Sequence, residues 1–249
     1  MAALCPAPGW YGHGVPKRLV LWDVDHTLVN AGGLSSHLYG VVFGELFGRE
    51  LTVVAPMAGR TDRAIILDTL TLAGVPEPRQ HVCAFVAGLA SQAPEFGLRV
   101  RERGRALPGA AAALRALAAA GQSHGVVQSV LTGNLRPLAE VKLGALGLAG
   151  CVDFDIGAYG DAHEVRAELV HIARHNAAGV YGEAFDGEAT VLVGDTPFDV
   201  AAALATGARA VAVATGGTPA GKLAAAGASV VLPDLTDTAA VVAAILGPP

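Results

Sequence analysis

Four consecutive apolar residues that end in two carboxylates form the first strong pattern of the chain. Residues 19–22 read Leu-Val-Leu-Trp, and Asp23-Val24-Asp25 follows them. A short, continuous apolar run is typical of a strand that is buried on both faces of a parallel sheet. Because open α/β sheets bind ligands beyond the carboxyl ends of their strands, Asp23 and Asp25 are candidate functional residues.

After this strand the spacing of the apolar residues becomes helical. Helices are predicted over three segments: 35–48, 64–72 and 80–90. A polar segment with Pro94 and Gly97 then leads to Pro108, and no helix is predicted there. The region 31–107 offers no strong candidate strand, so we interpret it as a helical insert.

From residue 108 onward the pattern alternates between helices and strands. Strands are predicted at 125–131, 152–156, 190–193, 210–214 and 230–232. Helices are predicted at 110–120, with Gly121 as the expected end, and at 137–146, 167–174 and 200–206. This order predicts an α/β fold, a Rossmann-like parallel sheet with right-handed crossovers. The expected core domain comprises 1–30 and 108–249.

Polar residues stand at three of the predicted strand ends. Besides Asp23 and Asp25, these are Thr132-Gly133-Asn134 and the pair Asp195 and Asp199. In a parallel sheet such ends lie along one edge. Four carboxylates at one edge repel one another unless a cation offsets them, so we expect a hard divalent ion such as Mg²⁺. Since Mg²⁺ commonly binds carboxylates together with phosphate oxygens, a phosphorylated ligand is expected.

Composition and charge narrow the range of partners. The chain has 249 residues, a formal net charge of −5 and no block of basic residues, so we expect no nucleic-acid partner. Gly, Pro or charged residues interrupt every apolar run before it reaches a membrane-spanning length, and the N-terminus lacks the pattern of a secretion signal. We therefore expect no membrane partner and a cytoplasmic location. Oligomeric state is left open.

These motifs resemble those of the haloacid dehalogenase (HAD) superfamily. Asp23-Val24-Asp25-His26-Thr27 is similar to its first motif, DxDxT, and Thr132 in Leu-Thr-Gly-Asn is similar to its second. Gly194-Asp195-Thr196-Pro197-Phe198-Asp199 resembles its fourth, GDxxxD. Three motifs in the right order are a specific signal. The insert at 31–107 matches the place of the helical C1-type cap domain in phosphoglycolate-phosphatase-like members.

The resemblance implies a role for each motif residue. Asp23 would attack phosphorus, and Asp25 would protonate the leaving oxygen and then activate water. The phosphate would be held by Thr132, with Gly133, Asn134 and Thr27 beside it. Mg²⁺ would bind the Asp23 and Asp195 carboxylates and the Asp25 carbonyl, with Asp199 close behind. Because a halide leaves without a proton, Asp25 favours phosphoryl transfer over dehalogenation.

The family's third motif, a Lys or Arg that neutralises the nucleophile, is where this sequence departs from the pattern. The usual Lys-Pro is missing, and two substitutes are available: Lys142 on the helix after Thr132, and Arg166 in His163-Glu164-Val165-Arg166. We favour Lys142 slightly. The alternative for both residues is a solvated charge on a helix surface.

Arg60 is the candidate for substrate contact from the insert. It lies in Gly59-Arg60-Thr61-Asp62, where a glycine-containing loop resembles the loop that C1-type caps place over the active site. An arginine there could bind a substrate carboxylate or phosphate through two parallel hydrogen bonds. An ordinary surface arginine is the alternative.

The function that the sequence favours is a Mg²⁺-dependent phosphatase acting on a small phosphorylated metabolite. A phosphomutase and a catalytically silent HAD-fold binding module are the alternatives. A phosphonate hydrolase would need a Schiff-base lysine in the cap. Residues 31–107 contain no lysine, which argues against that branch.

Overall fold

The computed structural model describes residues 18–247, except for the side chains at 121–124. Within that range the strands are β1 Arg18–Trp22, β2 Val29–Asn30, β3 Arg105–Ala106, β4 Val126–Val130, β5 Thr190–Gly194, β6 Arg209–Val213 and β7 Val230–Leu232. The α-helices are α1 Leu34–Phe47, α2 Asp62–Leu72, α3 Pro78–Ser91, α4 Ala93–Arg103, α5 Ala110–His124, α6 Arg136–Ala145, α7 Arg166–Tyr181, α8 Pro197–Ala205, α9 Ala220–Ala225 and α10 Thr238–Leu246. None of these helices is long and apolar enough to cross a membrane.

Five of the strands form one parallel sheet in the order β4-β1-β5-β6-β7. The predicted α/β fold is therefore confirmed. Trp22 at the end of β1 pairs with Val130 of β4 and with Val193 of β5. Because these three residues are level, the polar residues that follow each strand emerge at the same edge of the sheet.

Helices cover both faces of this sheet. Alternate residues of β1 point to opposite faces, so Val20 and Trp22 pack in one hydrophobic cluster while Leu19 and Leu21 pack in the other. All four are fully buried. A strand that is apolar on both faces therefore becomes an interior strand between β4 and β5, which places the motif that follows it between the other two polar strand ends.

The insert forms a third hydrophobic cluster of its own. Helices α1 to α4 contribute most of it, including Phe43, Ile66 and Phe85, but Leu135 and Leu138 at the start of α6 also belong to it. Strand β2, just before the insert, pairs antiparallel with β3 at the end of the insert. The insert is thus packed against the helix that follows the Thr132 motif.

Three local predictions are wrong. Residues 152–156 form no strand, because Asp153 accepts a hydrogen bond from the Asp155 amide and caps a 3₁₀ turn. The alternation of apolar residues there imitates a strand. A helix, α4, occupies 93–103, since Pro94 lies in its first turn, where no amide donor is required. Helix α5 continues past Gly121 to His124. Helices α9 and α10 were not anticipated.

Candidate active site

Three buried carboxylates converge where β1 and β5 end. Asp23 directly follows β1, Asp195 follows β5, and Asp199 lies in the first turn of α8. One carboxylate oxygen from each lies within 4.8 Å of the others. The sequence expectation that these residues meet at one edge of the sheet agrees with this geometry.

Local sequence explains the position of Asp199. Its Oδ2 accepts hydrogen bonds from the Thr196 amide at 3.0 Å and from the Thr196 hydroxyl at 2.6 Å, completing a capping box on α8. Pro197 begins the helix, where its missing amide hydrogen is harmless. Capping uses only one oxygen, so the other, Oδ1, still faces the cluster.

The cluster is short of positive charge. Burial raises the pKa of Asp23 to about 7, with a further upward contribution from Asp199 and a downward one from Arg166. Burial, together with the charges of Asp23 and Asp199, raises the pKa of Asp195 to about 8. A divalent cation bound to these oxygens would remove the repulsion. Hard carboxylate donors suit Mg²⁺, so the donor set fits the ion that the sequence led us to expect.

Arg166 is the cation that faces Asp23. Its Nη2 lies 2.8 Å from Asp23 Oδ1 and 2.6 Å from Asp199 Oδ1. Its Nη1 also donates to the Gly59 carbonyl of the insert at 3.4 Å. The slight preference for Lys142 as the cation that contacts Asp23 is therefore wrong. The reason is that α7 begins at Arg166, where the side chain reaches directly across the strand ends.

Lys142 pairs with the other carboxylate of the first motif. Its Nζ lies 2.6 Å from Asp25 Oδ2, 2.9 Å from Asp25 Oδ1 and 2.6 Å from Asn134 Oδ1. It is fully buried, with its ammonium 5.7 Å from the centre of the Phe96 ring. Burial alone would raise the pKa of Asp25, but the charge and hydrogen bonds of Lys142 and the Asn134 amide outweigh it and lower that pKa. Neither Lys142 nor Arg166 is a solvated helix charge.

The Thr132 loop completes the Asp25 side of the site. Asn134 Nδ2 donates to Thr132 Oγ1 at 2.7 Å and to Asp25 Oδ2 at 2.8 Å. Thr27, which was expected beside Thr132, instead contacts the acidic cluster, where its hydroxyl donates to Asp195 Oδ1 at 3.3 Å. A Cβ on Gly133 would collide with the Arg60 carbonyl, so this glycine allows the insert to approach closely. Thr132 and Asn134 thus adjoin Asp25, and Thr27 adjoins the acidic cluster.

The guanidinium of Arg60 is engaged within the insert. It lies 2.6 Å from Asp68 Oδ2 and donates to the Pro56 carbonyl at 3.2 Å. Arg60 still lines the cavity described next, but its charge is paired there.

A cavity of about 430 Å³ separates the strand ends from the insert. Both carboxylates of the first motif line it, as do Asp195 and Arg166. The insert contributes apolar residues to its other wall, including Leu38, Val54, Met57 and Ile65, and Leu138 of α6 lies beside them. The volume suits a small molecule, with its polar end at the carboxylates.

Sequence reasoning did not assign Asp62 to the site. The cap of α2 is Thr61, whose hydroxyl accepts from the Ala64 amide at 3.3 Å. Asp62 is buried and lines the cavity, and burial raises its pKa to about 6. The sequence carries no signal for this role, because an Asp in the first turn of a helix is ordinary.

Comparison with known proteins identifies the family to which this chain belongs. A model of the haloacid dehalogenase-like hydrolase family matches residues 20–204, and the chain therefore belongs to this family. No curated protein matches it in sequence.

Solved structures share the fold. A HAD-like family hydrolase from Streptococcus pneumoniae has 17% identity and a TM-score of 0.59, with 90% of this chain and 97% of that chain covered. A predicted phosphatase from Clostridium acetobutylicum has 16% identity and a TM-score of 0.60, with coverage of 87% and 94%. A HAD family hydrolase from Deinococcus radiodurans R1, with bound phosphate and sodium, has 24% identity and a TM-score of 0.51, with coverage of 95% and 100%.

Proposed function

We propose that this HAD-like hydrolase is a Mg²⁺-dependent phosphatase that releases phosphate from a small phosphorylated metabolite. One observation carries the proposal: Asp23 lies in a buried acidic cluster that contacts a guanidinium and opens to a cavity of about 430 Å³. The bound phosphate of the Deinococcus hydrolase is consistent with this ligand class.

Asp23 is the proposed nucleophile. Its carboxylate oxygen attacks phosphorus, the bond from phosphorus to the ester oxygen breaks, and an aspartyl-phosphate forms. Arg166 at 2.8 Å offsets the charge of Asp23, which would otherwise repel an incoming phosphate. When bound, Mg²⁺ supplies positive charge for the transferring oxygens. Asp23, Asp195 and Asp199 are the carboxylates that would hold it, with the Asp25 carbonyl as the further ligand that the family resemblance implies.

Asp25 is the proposed acid and base. In the first half of the reaction it gives a proton to the leaving oxygen, and in the second half it takes one from the water that attacks the aspartyl-phosphate. Lys142 keeps it ionised before substrate arrives. The negative charge of an arriving phosphate raises the pKa of a neighbouring carboxyl, which favours the protonated form that the first half needs.

Thr132 and its loop are proposed to hold the transferring oxygens, and helices α1 to α4 to act as a cap over the reaction. Residues 31–107 would then be the cap domain, with 1–30 and 108–249 as the core. The apolar wall that the insert contributes supports a water-poor site, in which electrostatic interactions are stronger. Cytoplasmic location stays a prediction.

Phosphate release tests this function. The purified protein is assayed against a panel of phosphate monoesters, with MgCl₂ or EDTA, beside Asp23→Asn and the exposed-site control Asp186→Asn. We expect Mg²⁺-dependent release by the wild type and the control, and none by Asp23→Asn. Release that survives in EDTA or in Asp23→Asn would contradict the proposal. Phosphate retained on an added phosphosugar would indicate a phosphomutase instead.

A further inference from the structure

We propose that Asp62 of the insert is a positioning residue that holds Asn134 and the start of α6 where Lys142 meets Asp25. The contacts stand on the structure itself, whereas the expected effect on turnover rests on the proposed phosphatase function.

Asp62 binds the chain on both sides of Asn134. Its backbone amide donates to the Gly133 carbonyl at 2.7 Å, and its Oδ2 accepts from the Leu135 amide at 2.9 Å. One residue of the insert therefore fixes both peptide groups that flank the Asn134 side chain.

The position of Asn134 affects the residues that its side chain contacts. Its amide group donates to Asp25 and to Thr132, and its Oδ1 accepts from Lys142 Nζ at 2.6 Å. A displaced Asn134 would loosen all three contacts together.

The Asp62 carboxylate also lies at the amino end of the helix that carries Lys142. The N-cap residue of α6 is Leu135, which makes no side-chain cap bond. Asp62 accepts from the amide of Leu135 itself, one of the donors left unpaired at a helix start, and its charge interacts favourably with the amino end of the helix. Asp62 is not required to cap its own helix, because Thr61 does so.

The backbone around the contact between Asp62 and Gly133 is closely packed. A Cβ on Gly160 would collide with the Gly133 carbonyl and with the Asp62 amide. Asp62 itself is 5% exposed, and its other oxygen, Oδ1, accepts from the Tyr39 hydroxyl at 2.6 Å. Burying a carboxylate is costly, and here protein donors satisfy both of its oxygens.

Variants at Asp62 and Tyr39 separate positioning from a general structural role. Asp62→Ala removes the bond to Leu135, and we expect kcat to fall by about tenfold or more with KM nearly unchanged, since small displacements of catalytic groups are costly. Asp62→Asn should rescue most of the activity, because its carbonyl can accept from Leu135 while its NH₂ donates to the Tyr39 oxygen. Tyr39→Phe removes the other bond to the same carboxylate but leaves the bond to Leu135, so it should lower kcat much less than Asp62→Ala does. Should Asp62→Ala not fold, Asp62→Ser, too short to reach Leu135, replaces it.

Amide hydrogen exchange gives a readout that needs no activity. The Leu135 amide and the first turn of α6 should exchange faster in Asp62→Ala than in Tyr39→Phe or Asp62→Asn. Equal losses of kcat and protection in Asp62→Ala and Tyr39→Phe would overturn the proposal, as would a change in KM alone, which indicates direct substrate contact. A wild type without phosphatase activity would refute the function, and exchange would then decide the role of Asp62 by itself.

Discussion

Two carboxylates of one short motif lie in opposite electrostatic surroundings. Asp23 shares a buried cluster with Asp195 and Asp199, where Arg166 is the cation in contact with it, and its pKa rises to about 7. Asp25, two residues on, is held by Lys142 and Asn134, and its pKa falls. The Asp23 side therefore needs a further cation, whereas the Asp25 side is already neutralised by the protein. This difference is the physical basis for assigning a metal-assisted nucleophile to one and proton transfer to the other.

Removing Arg166 should have the largest effect on stability and on kcat, because it is the cation in contact with Asp23. Arg166→Ala leaves Asp23 and Asp199 buried without their guanidinium, and loss of one partner of a buried ion pair typically costs about 3–5 kcal/mol of stability. We expect kcat to fall by about 10²–10³-fold, as when other preorganised electrostatic groups are removed. Urea unfolding and steady-state kinetics measure the two effects. Arg166→Lys keeps the charge but loses the second nitrogen that contacts the Gly59 carbonyl, so its kcat should lie between those of the wild type and Arg166→Ala. A fully active Arg166→Ala would contradict the role assigned to Arg166.

Removing the charge of Lys142 should raise the pKa of Asp25 and so make it more like that of Asp23. Lys142→Met keeps length and packing beside Phe96, but it removes the charge that lowers the pKa of Asp25. That pKa then rises, so the acid limb of the pH profile of kcat moves to higher pH when hydrolysis of the aspartyl-phosphate limits turnover. The substrate is an aryl phosphate whose leaving oxygen needs no proton. Hydrolysis of the aspartyl-phosphate, the step in which Asp25 is the base, then limits turnover. Lys222→Met, at an exposed position, is the control and should not move the limb.

Stability without metal should fall as pH rises, and Mg²⁺ should weaken that dependence. Asp23 and Asp195 have folded pKa values of about 7 and about 8, above the ordinary value of 3.8. Over that interval the folded state binds more protons than the unfolded state, so stability falls as pH rises. In EDTA we expect Tm to decrease between pH 5.5 and pH 8.5, and Mg²⁺ should oppose the decrease. A Tm in EDTA that stays level or rises with pH would count against the cluster as described.

Arg60→Ala should have the smallest effect. Its guanidinium contacts Asp68 and the Pro56 carbonyl, and exposed ion pairs contribute about 0–1 kcal/mol. Because that guanidinium is already paired within the insert, we expect kcat and KM to stay close to wild type. A large rise in KM for a carboxylated substrate would show that Arg60 leaves Asp68 to bind it.

Sequence reasoning works where the chemistry is contiguous in the chain. The apolar run before Asp23 identifies a buried strand, and the apolar run before Asp195 identifies a second strand whose polar end lies beside the first. It fails where contacts join distant segments. The preference between Lys142 and Arg166 depends on where α6 and α7 begin relative to the strand ends, which periodicity does not specify. Asp62 meets Leu135 across 73 positions, so no local pattern reveals that contact.

Detection of the covalent intermediate tests the central claim most directly. In Asp25→Asn the second half of the reaction lacks its base, so an aryl phosphate with a good leaving group should leave the enzyme phosphorylated. We predict that mass spectrometry of rapidly quenched protein will locate one phosphoryl group on the peptide that contains Asp23. Its absence there, or its presence on another residue, while the wild type turns over the same substrate, would contradict the account.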